Sequence, residues 1–293
     1  MEALAAAPPP PPVARVVFVV WDNPPTVIGA GSFLDQIALL AGGANVIMQL
    51  GRLPVGHGVV HSPVASGNLY RHPVKRTRTT LMYLVMAMDG TQQERLAIRR
   101  EVNRVHAQVR SRPGGPVRYH AMDPELQLWV AACIYRGAED TYRVLWGEPD
   151  PRTRDELYRD ARRFGTTLQV RDEQWPADRA AFDAYWEREV KLVEMDGETR
   201  CYLRGIARVT FLPRPVRWVL GPFMQFVTLG FLYPEFRAEL GLPWSAARQR
   251  RFDRLIRLLG RVNRLLPGVI REFPFNLVRW DTRRRLRAGR RVL

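Results

Sequence analysis

The stretch DPELQLWVAACI, Asp123 to Ile134, decides the fold. Asp123 followed by Pro124 and Glu125 reads as a helix start. Proline at the first helical position loses no hydrogen bond, because that N–H is unpaired anyway, and an acidic residue in the first turn meets the positive end of the helix dipole. From Leu126 to Ile134 the chain is apolar on nearly every side, so the pattern predicts a central helix buried in the core. Outside this stretch almost every periodic segment repeats at helical rather than alternating spacing. The predicted fold class is all-α, a single multi-helix domain.

Working outward, residues 31 to 50 read as a buried helix weakened at Gly42 and Gly43. A loop rich in Gly, Pro and His follows from Gly51 to Pro73. Helices are expected over residues 74 to 88 and 92 to 111, the second closed by Pro113, Gly114 and Gly115. Thr153 and Glu156 read as a capping box opening a polar helix to about Phe164, and Pro176 as the opening of another through Val190. An apolar segment broken by prolines, Phe211 to Tyr233, precedes a last helix from Ser245 to about Leu266. Residues 1 to 14, with a proline run, are expected as a disordered leader, 15 to 280 as the domain and 281 to 293 as a basic tail.

Composition excludes several classes. With 46% hydrophobic residues in 293, the chain can bury a large core, and 22 Gly and 23 Pro without a repeat rule out collagen-like and coiled-coil chains. Two cysteines, Cys133 and Cys201, make neither a disulfide framework nor a four-ligand zinc site, which fits a reducing cytoplasm. Glu2 stands where a signal peptide needs positive charge. The uncharged run Trp218 to Tyr233 is short for a membrane span and contains Gly221, Pro222 and Gly230, although an apolar flap there suits contact with a membrane surface. Of the net charge of +16, +12 lies in residues 248 to 293, where 15 arginines face Asp253, Glu272 and Asp281. The body is therefore nearly neutral, and the basic segment predicts weak nonspecific attraction to polyanions rather than specific nucleic-acid binding.

The chain has no P-loop, GxGxxG, GxSxG, HExxH or EF-hand loop. Among five histidines, His57, His61 and His72 fall in the expected loop at irregular spacing, and His120 precedes a helix start. His106 stands apart because Val102, Val105, His106 and Val109 follow an apolar helical stripe. An inward histidine must satisfy two ring nitrogens, by hydrogen bonds as an ordinary core residue or by a ligand such as a metal. Arg110 is four residues beyond it, and Arg76 and Thr80 repeat that spacing one helix earlier. Their bland reading is solvated helix ends. Their functional one is a haem site: an axial imidazole, cations for propionates and apolar walls.

The segments HPVKRTRTTLMYLVMAMDGT (72 to 91), REVNRVHAQVRS (100 to 111), YHAMDPELQLWVAA (119 to 132), FLYPEFRAELGLPW (231 to 244) and FPFNLVRWDTRRRLRAGR (273 to 290) together resemble the oxygenase MpaB and rubber-oxygenase family, whose catalytic domain is shared with latex-clearing proteins. The resemblance runs in order from about residue 30. It implies a helical domain around a buried pocket for one noncovalent haem b, with oxidative cleavage of carbon–carbon double bonds in characterised members. The family's HxxxR element, whose histidine is the proximal iron ligand, falls on His106 and Arg110, and its RxxxT element on Arg76 and Thr80. A distal lysine found in some latex-clearing proteins is Thr79 here, and a histidine common in relatives is Ala131, so the axial role rests on His106 alone.

The resulting expectation is a cytoplasmic, haem-b-dependent (Fe) oxygenase acting with O2 on an apolar, unsaturated small molecule. In this reading His106 is the metal ligand, Arg76, Thr80 and Arg110 hold the cofactor, and Arg76 and Thr80 are also the catalytic candidates. The segment Trp218 to Tyr233 is expected to supply either a substrate wall or ordinary core. Weak membrane-surface contact and no specific nucleic acid complete the expected partners. The competing readings are a noncatalytic haem or lipid binder of the same fold, and a basic nucleic-acid or membrane-surface protein.

Overall fold

A computed structural model describes residues 34–292; the proline-rich leader lies outside them. A 3-10 turn, Gln36–Ala41, leads into fourteen α-helices among the described residues. They are α1 (Gly42–Leu50), α2 (Leu53–Val60), α3 (Pro73–Asp89), α4 (Gln92–His106), α5 (Pro124–Trp146), α6 (Pro151–Ala161), α7 (Arg163–Thr166), α8 (Arg179–Val190), α9 (Gly197–Ala207), α10 (Arg214–Phe231), α11 (Pro234–Glu239), α12 (Ala246–Arg264), α13 (Gly268–Arg271) and α14 (Phe275–Arg287). The only extended pairing among the described residues is a single bridge, Arg110 to His120. The all-helical class is thus observed.

α5 opens as the sequence dictates: the Asp123 carboxylate accepts the Glu125 N–H at 2.8 Å, and Pro124 is the first helical residue. It is the core helix, packing on α1 and α12. Trp129 stacks on Trp186 of α8 with centroids 5.4 Å apart and donates its indole N–H to the Gln49 carbonyl at 3.0 Å, so the ring is buried without an orphaned donor. One turn from the apolar run, α5 buries Glu139, which is satisfied by Arg136 at 3.0 Å and Arg179 at 3.4 Å. Helices approach closely where side chains vanish. A Cβ on Gly43 would lie 2.9 Å from the Thr228 hydroxyl of α10, and one on Gly230 would lie 2.1 Å from the Phe252 ring of α12.

Several expected boundaries move. The break at Gly42 and Gly43 is real, since the 3-10 turn gives way to α1 there. The expected loop from Gly51 to Pro73 contains α2, because Pro54 fits a first helical turn and the glycines that read as loop signals let α2 pack closely; a Cβ on Gly56 would lie 2.7 Å from the Leu50 carbonyl. α6 is capped by Asp150, which accepts the Thr153 N–H at 3.1 Å, so Thr153 is inside the helix rather than its cap. Likewise Asp178, not Pro176, starts α8, accepting the Ala181 N–H at 2.8 Å.

The expected broken segment before Tyr233 is one helix, α10, with Pro222 inside it. No helix among the described residues is long and apolar enough to cross a membrane. Residues from Asp281, expected as an exposed tail, instead complete α14, which packs along α3. Arg279 pairs with Asp89 at 2.6 Å, Arg283 with Glu94 at 3.0 Å and Asp281 with Arg78 at 3.5 Å, while Thr282 and Val292 are buried.

Candidate functional site

α4 begins with a capping box in which Thr91 and Glu94 satisfy each other's backbone N–H groups. Ile98 and Val102 anchor it on Leu81, Val85 and Met86 of α3. It ends at His106, five residues short of the expected boundary. The chain then turns, with the Val109 N–H donating to the His106 carbonyl at 2.9 Å. Arg110 and His120 pair across the antiparallel bridge, in which Ser111 N–H donates to Tyr119 O at 2.8 Å and Ala121 N–H to Val109 O at 2.9 Å. The backbone leaves the helix because it exchanges helical hydrogen bonds for these cross-chain ones. Val109 is buried, but as part of this return rather than of the helical stripe.

The bridge brings Ala121 back to His106. Desolvation and the nearby Arg76 cation hold the His106 imidazole down to about 4, with His120 adding to the effect and a hydrogen bond with the Ala121 backbone opposing it. Its Nδ1 is buried and has no hydrogen-bond partner. A neutral imidazole with an unpartnered buried nitrogen carries a polar cost that a ligand would remove.

Arg76 and Thr80 share a face of α3, and the Thr80 hydroxyl donates to the Arg76 carbonyl at 3.0 Å, as does that of Thr79. The Arg76 side chain reaches water yet is surrounded by enough protein that desolvation lowers its pKa, partly offset by Tyr202. No carboxylate among the described residues pairs with Arg76, so the cation has no built-in counter-ion. Arg110 is also exposed and unpaired, but it stands on the extended return beside His120 and does not continue the helical face of His106 as the spacing predicted.

Thus His106 and Arg76 are brought together and Thr80 is tied to Arg76, whereas Arg110 stands on a different element, the return beside His120. Tyr70, Tyr202 and His120 complete the surroundings and were not singled out in the sequence. The Tyr70 hydroxyl donates to the Tyr202 carbonyl at 2.9 Å, and the two rings lie 4.9 Å apart. They come from a turn, α9 and the return loop, so no local spacing marks them. Next to them α10 is divided. Its second half is core, with Val227 and Leu229 buried, whereas Trp218 and Val219 in its first half are 75% and 76% exposed. Ala131 is buried in α5, and Thr79 is half-buried.

A second histidine pair also departs from the sequence reading. His57 and His61, expected in a loop, stand one turn apart on α2 and its C-cap, and face the start of α9, with His57 Nε2 2.6 Å from Asp196 and His61 Nε2 3.5 Å from Glu198. Burial opposes ionisation of Asp196, but the Thr199 N–H and His57 outweigh it and pull its pKa to about 2. Among the described residues no three His, Cys, Asp or Glu side chains gather as a metal site.

A family model described as the ER-bound oxygenase mpaB/B'/rubber oxygenase catalytic domain matches residues 32–261. An uncharacterized protein of Mycobacterium bovis and another of Mycobacterium tuberculosis are each 51% identical over 255 residues, covering 87% of this chain and 100% of the relative. No solved structure matches at a significant level. An all-helical domain that carries the resembling segments in order, and that matches this model over most of its length, belongs to the mpaB and rubber-oxygenase catalytic-domain family.

Proposed function

We propose that this protein is a cytoplasmic oxygenase that binds one haem b and acts with O2 on an apolar, unsaturated small molecule. The observation that carries the reading is the proximity of His106, a half-buried imidazole whose buried Nδ1 has no partner among the described residues, to Arg76, a crowded cation with no carboxylate among them. These residues fit the group: a neutral imidazole would hold the iron, and uncompensated guanidiniums would hold propionates. When bound, haem b supplies the redox chemistry with O2 that side chains lack.

His106 would hold the iron from the end of α4, a rigid support, and the Ala121 backbone would fix its ring orientation. Arg76 and Arg110 would each form a charge-assisted hydrogen bond to a carboxylate from a different element, which limits rotation of the ligand. The Thr80 hydroxyl, tied to the Arg76 carbonyl, steadies the turn that presents Arg76 and keeps an oxygen free to accept a hydrogen bond. The exposed Trp218 and Val219 lie near the end of α9, where a Cβ on Gly221 would be 3.0 Å from the Arg208 carbonyl. They offer apolar surface to a hydrocarbon substrate and exclude water from it.

Reconstitution tests the reading. The purified chain titrated with hemin is expected to develop a Soret band at one equivalent, and His106→Ala to abolish or greatly shift it at unchanged helical content. A wild-type spectrum in that variant would sink the assignment. O2 consumption with unsaturated hydrocarbons then separates turnover from mere haem binding.

A further inference from the structure

α12 carries seven arginines and one acidic residue, Asp253. None of the seven takes part in an ion pair among the described residues, whereas Arg136 pairs with Glu139 and Arg279 with Asp89. Arg248, Arg250 and Arg251 even crowd the helix start, which has no acidic residue in its first turn and where the dipole disfavours cations. This excess of charge has no counter-ion among the described residues.

The same outer face is apolar along one edge. The helix buries Phe252, Ile256, Gly260 and Asn263, and its opposite side presents Leu258 (56% exposed), Val262 (50%) and Leu265 (74%) beside Arg254, Arg257 and Arg261. Leu258 and Val262 lie at helical spacing among the apolar residues of α12, but the surface that covers Phe252 and Ile256 does not extend to them. Val269 (75% exposed), Phe273 and Trp280 in the segments that follow are exposed as well. Around Trp280 an open depression of about 540 Å³ is lined by Arg279, Arg283, Arg284 and Arg287. Exposed apolar surface of this extent marks an interaction site.

We propose that the outer face of α12 docks on an anionic lipid bilayer, with its arginines at the phosphate level and Leu258, Val262 and Leu265 inserted at the interface. An amphipathic helix with a basic polar side and an apolar edge has this geometry in the plane of a membrane. Duplex DNA would satisfy the arginines but leave the leucine and valine edge in water. A second copy would set arginine rows against each other. Residues 1–33 contain only Glu2 and Asp22 as acids and cannot neutralise seven cations. The inference stands independently of haem.

The full chain is tested by flotation with phosphatidylcholine vesicles, with and without phosphatidylserine. It is expected to float only with phosphatidylserine. The triple variant Arg254→Gln, Arg257→Gln, Arg261→Gln is expected to weaken partitioning on the order of a hundredfold. The variant Leu258→Gln, Val262→Gln, Leu265→Gln, at exposed positions that leave helical content intact, is expected to weaken it at least about tenfold without changing adsorption to duplex DNA. The proposal is overturned by absence of flotation with phosphatidylserine, by full vesicle binding in the leucine and valine variant, or by a dimer that this variant dissociates.

Discussion

Arg110 faces His120 across the single antiparallel bridge that closes the return after α4. Arg110 therefore stands on extended backbone, whereas Arg76 stands on α3. Each arginine is expected to act separately: Arg76→Ala and Arg110→Ala each cost about 1.5 to 3 kcal/mol of hemin affinity, roughly tenfold to a hundredfold, and their effects add. Titration of hemin into both single variants and the double variant measures this. Unaltered affinity in both singles would mean that they are only solvated.

Ligation by His106 is expected to survive mild acid. An ordinary histidine is half protonated near pH 6.5, but burial and Arg76 hold His106 down to about 4, so its lone pair stays available. The reconstituted protein should keep its Soret band to about pH 5. Loss of the band with a midpoint near 6.5 would show that another histidine holds the iron. In His106→Gly, added imidazole should restore the spectrum.

Stability of the haem-free chain is expected to respond to two buried groups with opposite sign. For His106 the unfolded chain binds a proton between pH 6.5 and 4 that the folded chain refuses, so stability present above 6.5 falls as pH drops through this window. Asp140 is pushed up to about 6 by burial, despite accepting the Tyr233 hydroxyl at 2.6 Å. Between 6 and 3.8 the folded chain binds the extra proton, so its contribution is fully present below 3.8 and is lost as pH rises through 6. Stability measured by urea unfolding should therefore rise with pH from 4 to 7 in Asp140→Asn, which leaves the His106 effect alone, and fall with pH in His106→Asn, which leaves the Asp140 effect alone.

Gly230→Ala should destabilise the fold by about 1 to 3 kcal/mol, because the new methyl meets the fully packed Phe252 ring. Gly268→Ala, whose Cβ meets nothing within 4 Å, is the control and should change the denaturation midpoint little.

The sequence by itself determined the all-helical class and where α5 and α12 start. Asp123 with Pro124, and Ser245, whose side chain accepts the Arg248 N–H at 3.2 Å, cap α5 and α12 as their chemistry requires. It also marked His106, because a histidine in an apolar stripe breaks the pattern locally. Only tertiary structure ended α4 at His106, since the competing hydrogen bonds come from Tyr119 and Ala121 across the return. Only it turned Gly56 from a loop signal into a contact with the Leu50 carbonyl, and set Asp196 beside His57, 139 residues away. Periodicity states that Leu258 and Val262 favour burial, but the neighbours of α12 cover only the side of Phe252 and Ile256, and that finite area leaves the rest of the stripe facing outward.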